Sequence, residues 1–159
     1  MMNEENKKLS NRKKPVHLPN LERHNQPTII YVTVCTKNRR KILVTDIVHN
    51  TLKKIWENDT QYMVGKYIIM PDHIHLFCSP LVRDVKNVKQ WGAFWKRRGS
   101  IDLPYLQPLW QRNCWDRQLR QSESYSEKWQ YVCQNPVRQG FVNQSSDWSF
   151  QGELNELRW

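Results

Sequence analysis

The sequence is poor in acidic residues and lacks the patterns that define several classes of protein. Asp and Glu number 15 against 25 Lys and Arg, which gives a formal net charge of +10. The four cysteines are widely spaced and form no Cys-x-x-Cys pair, so the ligand spacing typical of a zinc ribbon or a redox centre is missing. Neither a secretory signal nor a run of about 18 apolar residues can be recognised. We therefore expect free thiols in a reducing, bacterial-type cytosol.

The positive charge is informative because the basic residues cluster next to aromatic ones. A purely solubilising surface would mix charges of both signs, whereas clustered cations with aromatic neighbours are typical of nucleic-acid binding. The 159 residues are enough for one domain with a real core. We predict a flexible basic arm over residues 1–27, which either contacts DNA or is an inert tail, and a single domain over residues 28–159 whose C-terminal tail starts at about residue 143.

Strand-like and helix-like segments together predict a mixed α/β domain. Strands are favoured by β-branched and aromatic residues, and helices by apolar residues three to four positions apart. In chain order, the prediction is a strand over 29–36, a helix over 46–58 capped by Thr45 or Asp46, strands over 62–70 and from His73 onward, a helix over 84–98, a loop over 99–109, an extended basic segment over 110–120 and a helix from Ser124 to Asn135. Trp91 and Trp95 lie four residues apart in the second helix and are interpreted as core residues.

The stretch from Met70 to Phe77 places two histidines on one face of a strand. Residues two apart project to the same side, so His73 and His75 stand side by side. The alternating residues Ile74, Leu76 and Cys78, the Ile-Leu-Cys row, point the other way and indicate the side that packs into the core. Two imidazoles on one face can bind a metal, and hydrogen-bonded strand histidines are the alternative.

The last predicted helix carries a second candidate group. A capping-box pattern starts this helix at Ser124, and Pro136 disfavours helical geometry in the residue before it, so the helix should end at Asn135. On a helical wheel Tyr131 lies off the apolar stripe, and Asn135 lies one turn further on the same face. The helix therefore presents a phenol and an amide oxygen together. Tyr125 lies on the apolar side and is interpreted as a packing residue.

The strand and the helix together suggest a metal site with a nucleophile. His73, His75 and Asn135 offer two imidazole nitrogens and an amide oxygen, a set that can hold a divalent ion with open positions for a phosphate. Tyr131 would be the nucleophile. Because a free phenol has a pKa near 10, its attack at neutral pH depends on positioning and on a nearby metal or base.

Three motifs in a fixed order carry a family resemblance. They are Met70-Pro71-Asp72-His73-Ile74-His75-Leu76, then Trp110-Gln111-Arg112 followed by Trp115-Asp116, and then Tyr131-Val132-Cys133-Gln134-Asn135-Pro136-Val137-Arg138-Gln139-Gly140-Phe141-Val142. Over roughly residues 29–150 the chain resembles the single-tyrosine HUH nucleases and, within them, the REP-associated tyrosine transposases. Histidine-triad hydrolases fit less well, because they would need a third histidine where Phe77 stands. Amidohydrolase-type zinc sites would continue to an Asp-His pair, which is absent.

The resemblance implies a fold, a reaction and a partner. The fold would be the HUH endonuclease fold, a ferredoxin-like or RRM-like antiparallel sheet with packed helices. His73, His75 and Asn135 would bind Mg²⁺ or Mn²⁺, and Tyr131 would attack single-stranded DNA. The product would be a covalent 5′-phosphotyrosine with a free 3′-OH, formed near the foot of a hairpin of repeated extragenic palindromic (REP) DNA. The protein would act as a monomer or a homodimer, away from membranes.

The remaining cations are candidates for contacts with the DNA backbone, because Lys and Arg neutralise phosphates. The predicted DNA-binding residues are Lys37, Arg39, Arg40, Lys41, Lys96, Arg97, Arg98, Arg112, Arg117, Arg120 and Arg138. Asp116 matches a recurrent acidic position of the family. The sequence is compatible with Asp116 contacting metal, DNA or only backbone.

Two other functions are compatible with the sequence. One is a domesticated hairpin-binding protein with little or no cleavage activity, which would have no physical need for His73, His75 and Tyr131. The other is an RNA-binding ferredoxin-like protein that uses Trp and Arg stacking. Formation of a covalent DNA adduct would separate the first from a nuclease, and a preference for RNA over the same DNA hairpin would indicate the second.

Overall fold

A single antiparallel sheet organises the chain. The structure is a computed structural model that describes residues 28–82, 86–120 and 123–158, so the predicted arm over residues 1–27 lies outside the described residues. The sheet order is β4-β1-β3-β2-β5. The strands are β1 (Ile30–Cys35), β2 (Tyr62–Ile69), β3 (His73–Pro80), β4 (Trp115–Gln118) and β5 (Gln151–Glu153), and the helices are α1 (Asp46–Glu57), α2 (Val88–Asp102), α3 (Tyr125–Cys133) and α4 (Asn135–Arg138). The first four strands with α1 and α2 form a ferredoxin-like βαββαβ unit, which confirms the predicted fold class.

Helices α1 and α2 cover one face of the sheet and enclose the main core. Thr45 caps α1 by accepting a hydrogen bond from the Val48 N–H. The Ile-Leu-Cys row of β3 is buried on this side together with Trp91 and Trp95, as the periodicity predicts. The Trp56 and Trp95 rings meet edge to face with centroids 5.5 Å apart, which joins α1 to α2. We call this side the helix face.

Helix α3 covers only part of the opposite face. Tyr125 packs edge to face on Phe77 with ring centroids 4.9 Å apart, so its predicted packing role is confirmed. The pairing of β2 with β3 shifts register next to Gly65, where a Cβ atom would lie 2.6 Å from the Leu157 side chain. The shift leaves the Lys66 N–H free to donate to the Tyr125 hydroxyl at 3.0 Å. This contact anchors the start of α3 over β2 and β3.

Two predicted helix ends are wrong. Helix α2 continues past residue 98 to Asp102, because Gly99 packs closely against Leu52 and Trp110 without interrupting the helix. The helix that follows Ser124 ends at Cys133, and Asn135 is the first residue of the separate helix α4. Pro136 has no N–H to donate back to the preceding turn, so it starts a new helix more readily than it allows the old one to continue.

The C-terminal segment adds a strand that the sequence pattern did not predict. The three residues of β5 pair antiparallel with β2, with Ile68 opposite Gln151. The Trp148 indole N–H donates to the Ile69 carbonyl at 3.0 Å, and Phe141 stacks on Trp148. A strand of three half-exposed residues is too short for a recognisable alternation.

Cys35, Cys78, Cys114 and Cys133 are all free and buried. Among residues 28–82, 86–120 and 123–158, no helix has both the length and the apolar composition needed to cross a bilayer.

Candidate active site

The register of the sheet decides which side chains accompany the two histidines. Cys35 of β1 lies opposite His73, and Thr33 lies opposite His75. On the other side of β1, Trp115 of β4 is also paired with Thr33. Directly opposed residues of an antiparallel pair project to the same face. We call this side, which α1 and α2 do not cover, the histidine face.

His73 is held by a carboxylate at the turn before β3. The Met70 N–H donates to the His73 carbonyl at 2.8 Å, so Pro71 and Asp72 form a tight turn. The His73 Nδ1 lies 2.7 Å from the Asp72 Oδ1. When Nδ1–H donates to that carboxylate, Nε2 keeps its lone pair free for a ligand. A carboxylate behind a histidine is a common second partner of metal-binding imidazoles.

Asp72 is in turn fixed by Arg39. The Arg39 Nε donates to the Asp72 Oδ2 at 2.9 Å, and its Nη1 lies 3.0 Å from the Cys35 sulfur. Asn38 and Arg39 both adopt left-handed backbone angles, which turn the loop after β1 back towards the histidines. Burial alone would raise the pKa of Asp72, but the hydrogen bonds from His73 and Arg39 outweigh burial and lower it. Asp72 is therefore ionised at neutral pH.

His75 is held by two hydroxyl groups. Its Nδ1 lies 2.8 Å from the Tyr31 hydroxyl and 2.9 Å from the Thr33 hydroxyl, both on β1. Burial above all, and then the charge of His73 and of Arg138, lowers the pKa of His75 to about 3. Burial also lowers the pKa of His73, although Asp72 opposes it. Both imidazoles are therefore neutral at pH 7, the form that binds metals.

Tyr131 lies on the exposed side of α3, next to an arginine from α4. Its side chain is 66% exposed, whereas Val132 and Cys133 are buried. The Arg138 guanidinium lies 4.3 Å from the centre of the Tyr131 ring, and its Nη1 donates to the Tyr131 carbonyl at 2.8 Å. The same guanidinium lies 3.4 Å from the Asn135 Oδ1. The break between α3 and α4 thus places a phenol, an amide and a cation together.

Helix α3 and His75 both contact Tyr31 on the histidine face. The Lys128 ammonium of α3 lies 5.4 Å from the centre of the Tyr31 ring. Burial raises the pKa of Tyr31, and the nearby Tyr131 phenol adds to that increase. The charge of Arg138 also contributes, after burial and the charge of His73, to the lowered pKa of His75.

The donor set of the histidine face fits a divalent ion held by few protein ligands. The His73 and His75 ring centroids are 4.8 Å apart, and each ring has its Nδ1 occupied. Within the described residues, no group of three or more His, Cys, Asp and Glu side chains can hold a metal. A third ligand would have to be an oxygen of another kind, such as the Asn135 amide or a phosphate of the substrate.

Asp116 does not join the histidine pair. It lies opposite Val32, whose side chain is buried in the core on the helix face. Burial first, and then the charge of Asp116, raises the pKa of Cys78 on the same face. The sheet therefore separates Asp116 from His73 and His75. Of the three contacts left open for Asp116, this geometry excludes a metal held together with His73 and His75.

Lys96, which the sequence predicts to bind DNA, is buried. Its ammonium donates to the carbonyls of Gln111 and Arg112 at 2.9 Å and 3.1 Å, and Trp110 donates to the Lys96 carbonyl. Lys96 thus holds the Trp-Gln-Arg motif against α2 and does not present its charge to DNA.

The other predicted DNA-binding residues have different surroundings. Those that bond to protein groups are Arg39 with Asp72, Arg40 with the Leu106 and Pro108 carbonyls, Arg98 with Asp102, Arg117 with Glu123 and Arg138 with Tyr131. The side chains of Lys37, Lys41, Arg97, Arg112 and Arg120 are exposed. The cations lie on both sides of the sheet, since Arg97 and Arg98 belong to α2, whereas Arg117 lies opposite Tyr31 on the histidine face.

Sequence reasoning missed Tyr31 and Thr33. Both lie on β1 with one residue between them, so an alternation argument places them on one face of that strand. Which face this is, and that Thr33 lies opposite His75, depends on a register between strands more than forty residues apart. The sequence offers no signal for that register.

These features define a class: a ferredoxin-like α+β domain with paired neutral histidines on the sheet face opposite α1 and α2, and an exposed tyrosine on a helix that packs over the same face. No protein-family model matches the chain.

Two curated relatives have similar sequences. A REP-associated tyrosine transposase of Escherichia coli is 26% identical over 123 residues, covering 76% of this chain and 73% of the relative. A Haemophilus influenzae protein that carries the same name provisionally is 24% identical over 146 residues and covers 82% of each chain. The resemblance to the REP-associated tyrosine transposases is therefore confirmed by relatives with that name.

A solved structure has the same fold. It is described as a REP-associated tyrosine transposase bound to a REP hairpin, and it superposes with a TM-score of 0.65 at 22% identity, covering 84% of this chain and 82% of the other. The five-stranded antiparallel sheet with its packed helices is thus the fold of that transposase.

Proposed function

We propose that this protein is a metal-dependent endonuclease and strand transferase of transposase type that acts on single-stranded DNA beside REP-like hairpins. The observation that carries the proposal is the arrangement of the histidine face. Two neutral histidines, each with its Nδ1 engaged, lie on the same side of the sheet as an exposed tyrosine with an arginine over its ring. Relatives named as transposases and the shared fold support the same class of reaction.

The proposed reaction is a transesterification at a DNA phosphate. The Tyr131 oxygen attacks phosphorus, the bond from phosphorus to the 3′ oxygen breaks, and the phenolic proton passes by way of solvent to the leaving 3′ oxygen. A 5′-phosphotyrosine and a free 3′-OH result, so no nucleotide cofactor is consumed. Arg138, beside the phenol, would neutralise charge on the phosphate.

His73, His75 and the Asn135 amide oxygen would hold Mg²⁺ or Mn²⁺. The bound ion would neutralise the charge that develops on the phosphate. Asp72, Tyr31 and Thr33 would keep the two imidazoles in position before the DNA arrives, since their contacts already exist in the protein alone.

Adduct formation tests the proposal. A labelled DNA hairpin with single-stranded flanks is incubated with the protein and Mn²⁺, and the products are separated under denaturing conditions. We expect a covalent protein–DNA band with the wild type and none with Tyr131→Phe or His73→Ala. The matched control is Tyr105→Phe, because Tyr105 is 63% exposed, much like Tyr131 at 66%.

The outcomes separate the possible functions. An adduct that persists in Tyr131→Phe would exclude Tyr131 as the nucleophile. Tight hairpin binding without any adduct, whichever divalent ion is supplied, would favour a domesticated binding protein. A preference for an RNA version of the same hairpin would favour an RNA-binding protein, because such proteins read the 2′-OH.

The proposed partner is hairpin DNA with palindromic, REP-like stems, and the proposed compartment is the bacterial cytosol near the nucleoid. A net charge of +10 supports a phosphate-rich partner. Four buried free thiols are consistent with a reducing environment. The proposal applies equally to a monomer and to a homodimer.

A further inference from the structure

A cleft on the helix face is separate from the histidine face. It has a volume of about 810 Å³ and lies between the second half of α1 and the length of α2 from Trp91 to Asp102. Its base is formed by Trp91, which is buried in the core between the sheet and these helices. Clefts of this size accept ligands as large as a nucleotide. The sheet therefore lies between this cleft and the proposed active site.

Hydrogen bonds and ring packing hold the base of the cleft in place. The Trp91 indole N–H donates to the Asp59 Oδ2 at 2.6 Å, and the Trp91 ring packs on Tyr62 with centroids 4.7 Å apart. The Asp59 Oδ1 accepts hydrogen bonds from the backbone N–H groups of Gln61 and Tyr62 at 2.8 Å and 3.0 Å. The Asp59 carboxylate is thus fully used in holding the wall together.

An aromatic ring stands at the rim with cations around it. Phe94 is 60% exposed on the rigid helix α2, so core packing does not account for it. The Lys86 ammonium lies 5.7 Å from the centre of the Phe94 ring. Lys54 and Arg98 also line the cleft, with Arg98 paired to Asp102. An exposed ring flanked by cations is the usual arrangement for stacking an unpaired base and contacting its phosphate.

We infer that this cleft binds a base and the adjoining phosphate of single-stranded DNA. The choice of DNA rests on the proposed function, whereas the contact itself does not use the histidines or Tyr131. Duplex DNA would not suit the site, because its bases are stacked and cannot lie on Phe94. The single-stranded flank of a hairpin held at the histidine face could reach the cleft only by passing around the edge of the domain.

The binding test uses a short labelled oligothymidylate, which forms no hairpin, in buffer with a chelator so that no divalent ion contributes. Fluorescence anisotropy should show that Phe94→Ala raises the Kd about tenfold, the effect expected for losing one stacked base. Phe94→Trp, which keeps a ring, should bind like the wild type. The matched control is Ile101→Ala, because Ile101 is 58% exposed on the same helix outside the cleft, and it should leave the Kd unchanged.

Two further measurements define the contact. Replacing the bases of the oligonucleotide by abasic sites should weaken binding to the wild type and leave binding to Phe94→Ala almost unchanged. Lys86→Gln should lower the slope of log affinity against log salt by about one. An oligonucleotide that carries iododeoxyuridine should crosslink to the α2 peptide that contains Phe94.

Other results would overturn the inference. These are an unchanged Kd in Phe94→Ala, equal weakening in Phe94→Ala and Ile101→Ala, or crosslinks confined to the histidine face. A Phe94→Ala variant that changes only the oligomeric state would identify the cleft as a protein contact. Since Phe94 is exposed, unaltered circular dichroism should show that the variant folds.

The result can be told apart from the test of the proposed function. If oligothymidylate binding depends on Phe94 and the wild type forms no adduct, the result supports the DNA-binding cleft and contradicts the proposed cleavage activity. If an adduct forms and oligothymidylate binding does not depend on Phe94, the result supports the cleavage activity and contradicts the DNA-binding cleft.

Discussion

The two faces of the sheet differ in the side chains that they bury. On the helix face the indole N–H groups of Trp56 and Trp95 are buried and find no hydrogen-bond partner among the described residues. On the histidine face, by contrast, His73 is bonded to Asp72 and His75 to the hydroxyls of β1. The helix face carries the larger apolar core, whereas the histidine face combines a smaller one, around Phe77 and Val132, with polar groups held in fixed orientations. The larger part of the apolar core and the proposed chemistry therefore lie on opposite sides of one sheet.

Removing a large core side chain from the helix face should have the largest effect on folding. We expect Trp95→Ala to lower the free energy of unfolding by about 3–5 kcal/mol, because Trp95 is fully buried and packs against Trp56 of α1 and against Trp110. Urea denaturation followed by circular dichroism measures the loss. Trp95→Phe is the control and should cost less, since it keeps a ring and removes an N–H without a partner. A loss below 1 kcal/mol in Trp95→Ala would contradict the division between the faces.

Removing the hydroxyls behind His75 should affect metal binding more than folding. In the double variant Tyr31→Phe, Thr33→Val we expect Mn²⁺ affinity to fall roughly 10- to 100-fold, the usual effect of losing partners behind a ligating histidine. Both positions keep their shape, so the free energy of unfolding should change much less than in Trp95→Ala. Titration calorimetry with Mn²⁺ measures the affinity.

Tyr105→Phe removes a hydroxyl from an exposed tyrosine elsewhere and serves as the control. Equal Mn²⁺ affinity in the wild type and the double variant would mean that the β1 hydroxyls do not orient His75 for metal binding.

The smallest expected effect is on the pH dependence of the free energy of unfolding, through His49 on the helix face. The His49 Nε2 lies 2.8 Å from the Tyr67 hydroxyl, whose pKa burial raises to about 12, so this hydroxyl keeps its proton and can donate to a neutral His49. Burial, followed by the charge of Lys53, lowers the pKa of His49 from 6.5. Below pH 6.5 the unfolded chain therefore binds more protons at His49, and the stability that neutral His49 contributes is lost as the pH falls.

His49→Gln should reduce this loss. Comparison of urea midpoints at about pH 7.5 and pH 5.5 should show a smaller decrease in the variant than in the wild type. Lys53→Gln, which removes the neighbouring charge and keeps the histidine, provides the control and should retain a decrease. An identical decrease in the wild type and His49→Gln would show that His49 does not contribute to acid sensitivity.

The success of sequence reasoning depended on the range of the interactions involved. Local patterns predicted the strands around His73 and the helix capped by Thr45, because periodicity and capping act over a few residues. The sequence pattern ends α2 at residue 98, before its actual end at Asp102. The packing that accommodates Gly99 inside the helix involves Leu52 and Trp110, which belong to distant segments. Pro136 marks the region of the break correctly, but α3 already ends at Cys133, and the sequence does not predict the short helix α4 that starts at Asn135.

Charge was harder to interpret than periodicity. Lys96 stands in a basic cluster with its two arginine neighbours, yet it is the one that turns inward to hold two carbonyls. Asp116 is adjacent to Trp115 in sequence, yet the pleat sends the two side chains to opposite faces. A charged side chain has the same sequence pattern in either environment, so only packing reveals its role.

The sequence by itself determined the order of the elements from β1 to α3, the side of β3 that carries both histidines and the exposed side of the helix that carries Tyr131, because each follows from a period of two or 3.6 residues. Tertiary structure alone decided that Thr33 lies opposite His75, that Arg39 returns to Asp72 and that Asp116 belongs to the other face. The physical reason is that strand register and loop return depend on contacts between segments far apart in the chain, which no local pattern encodes.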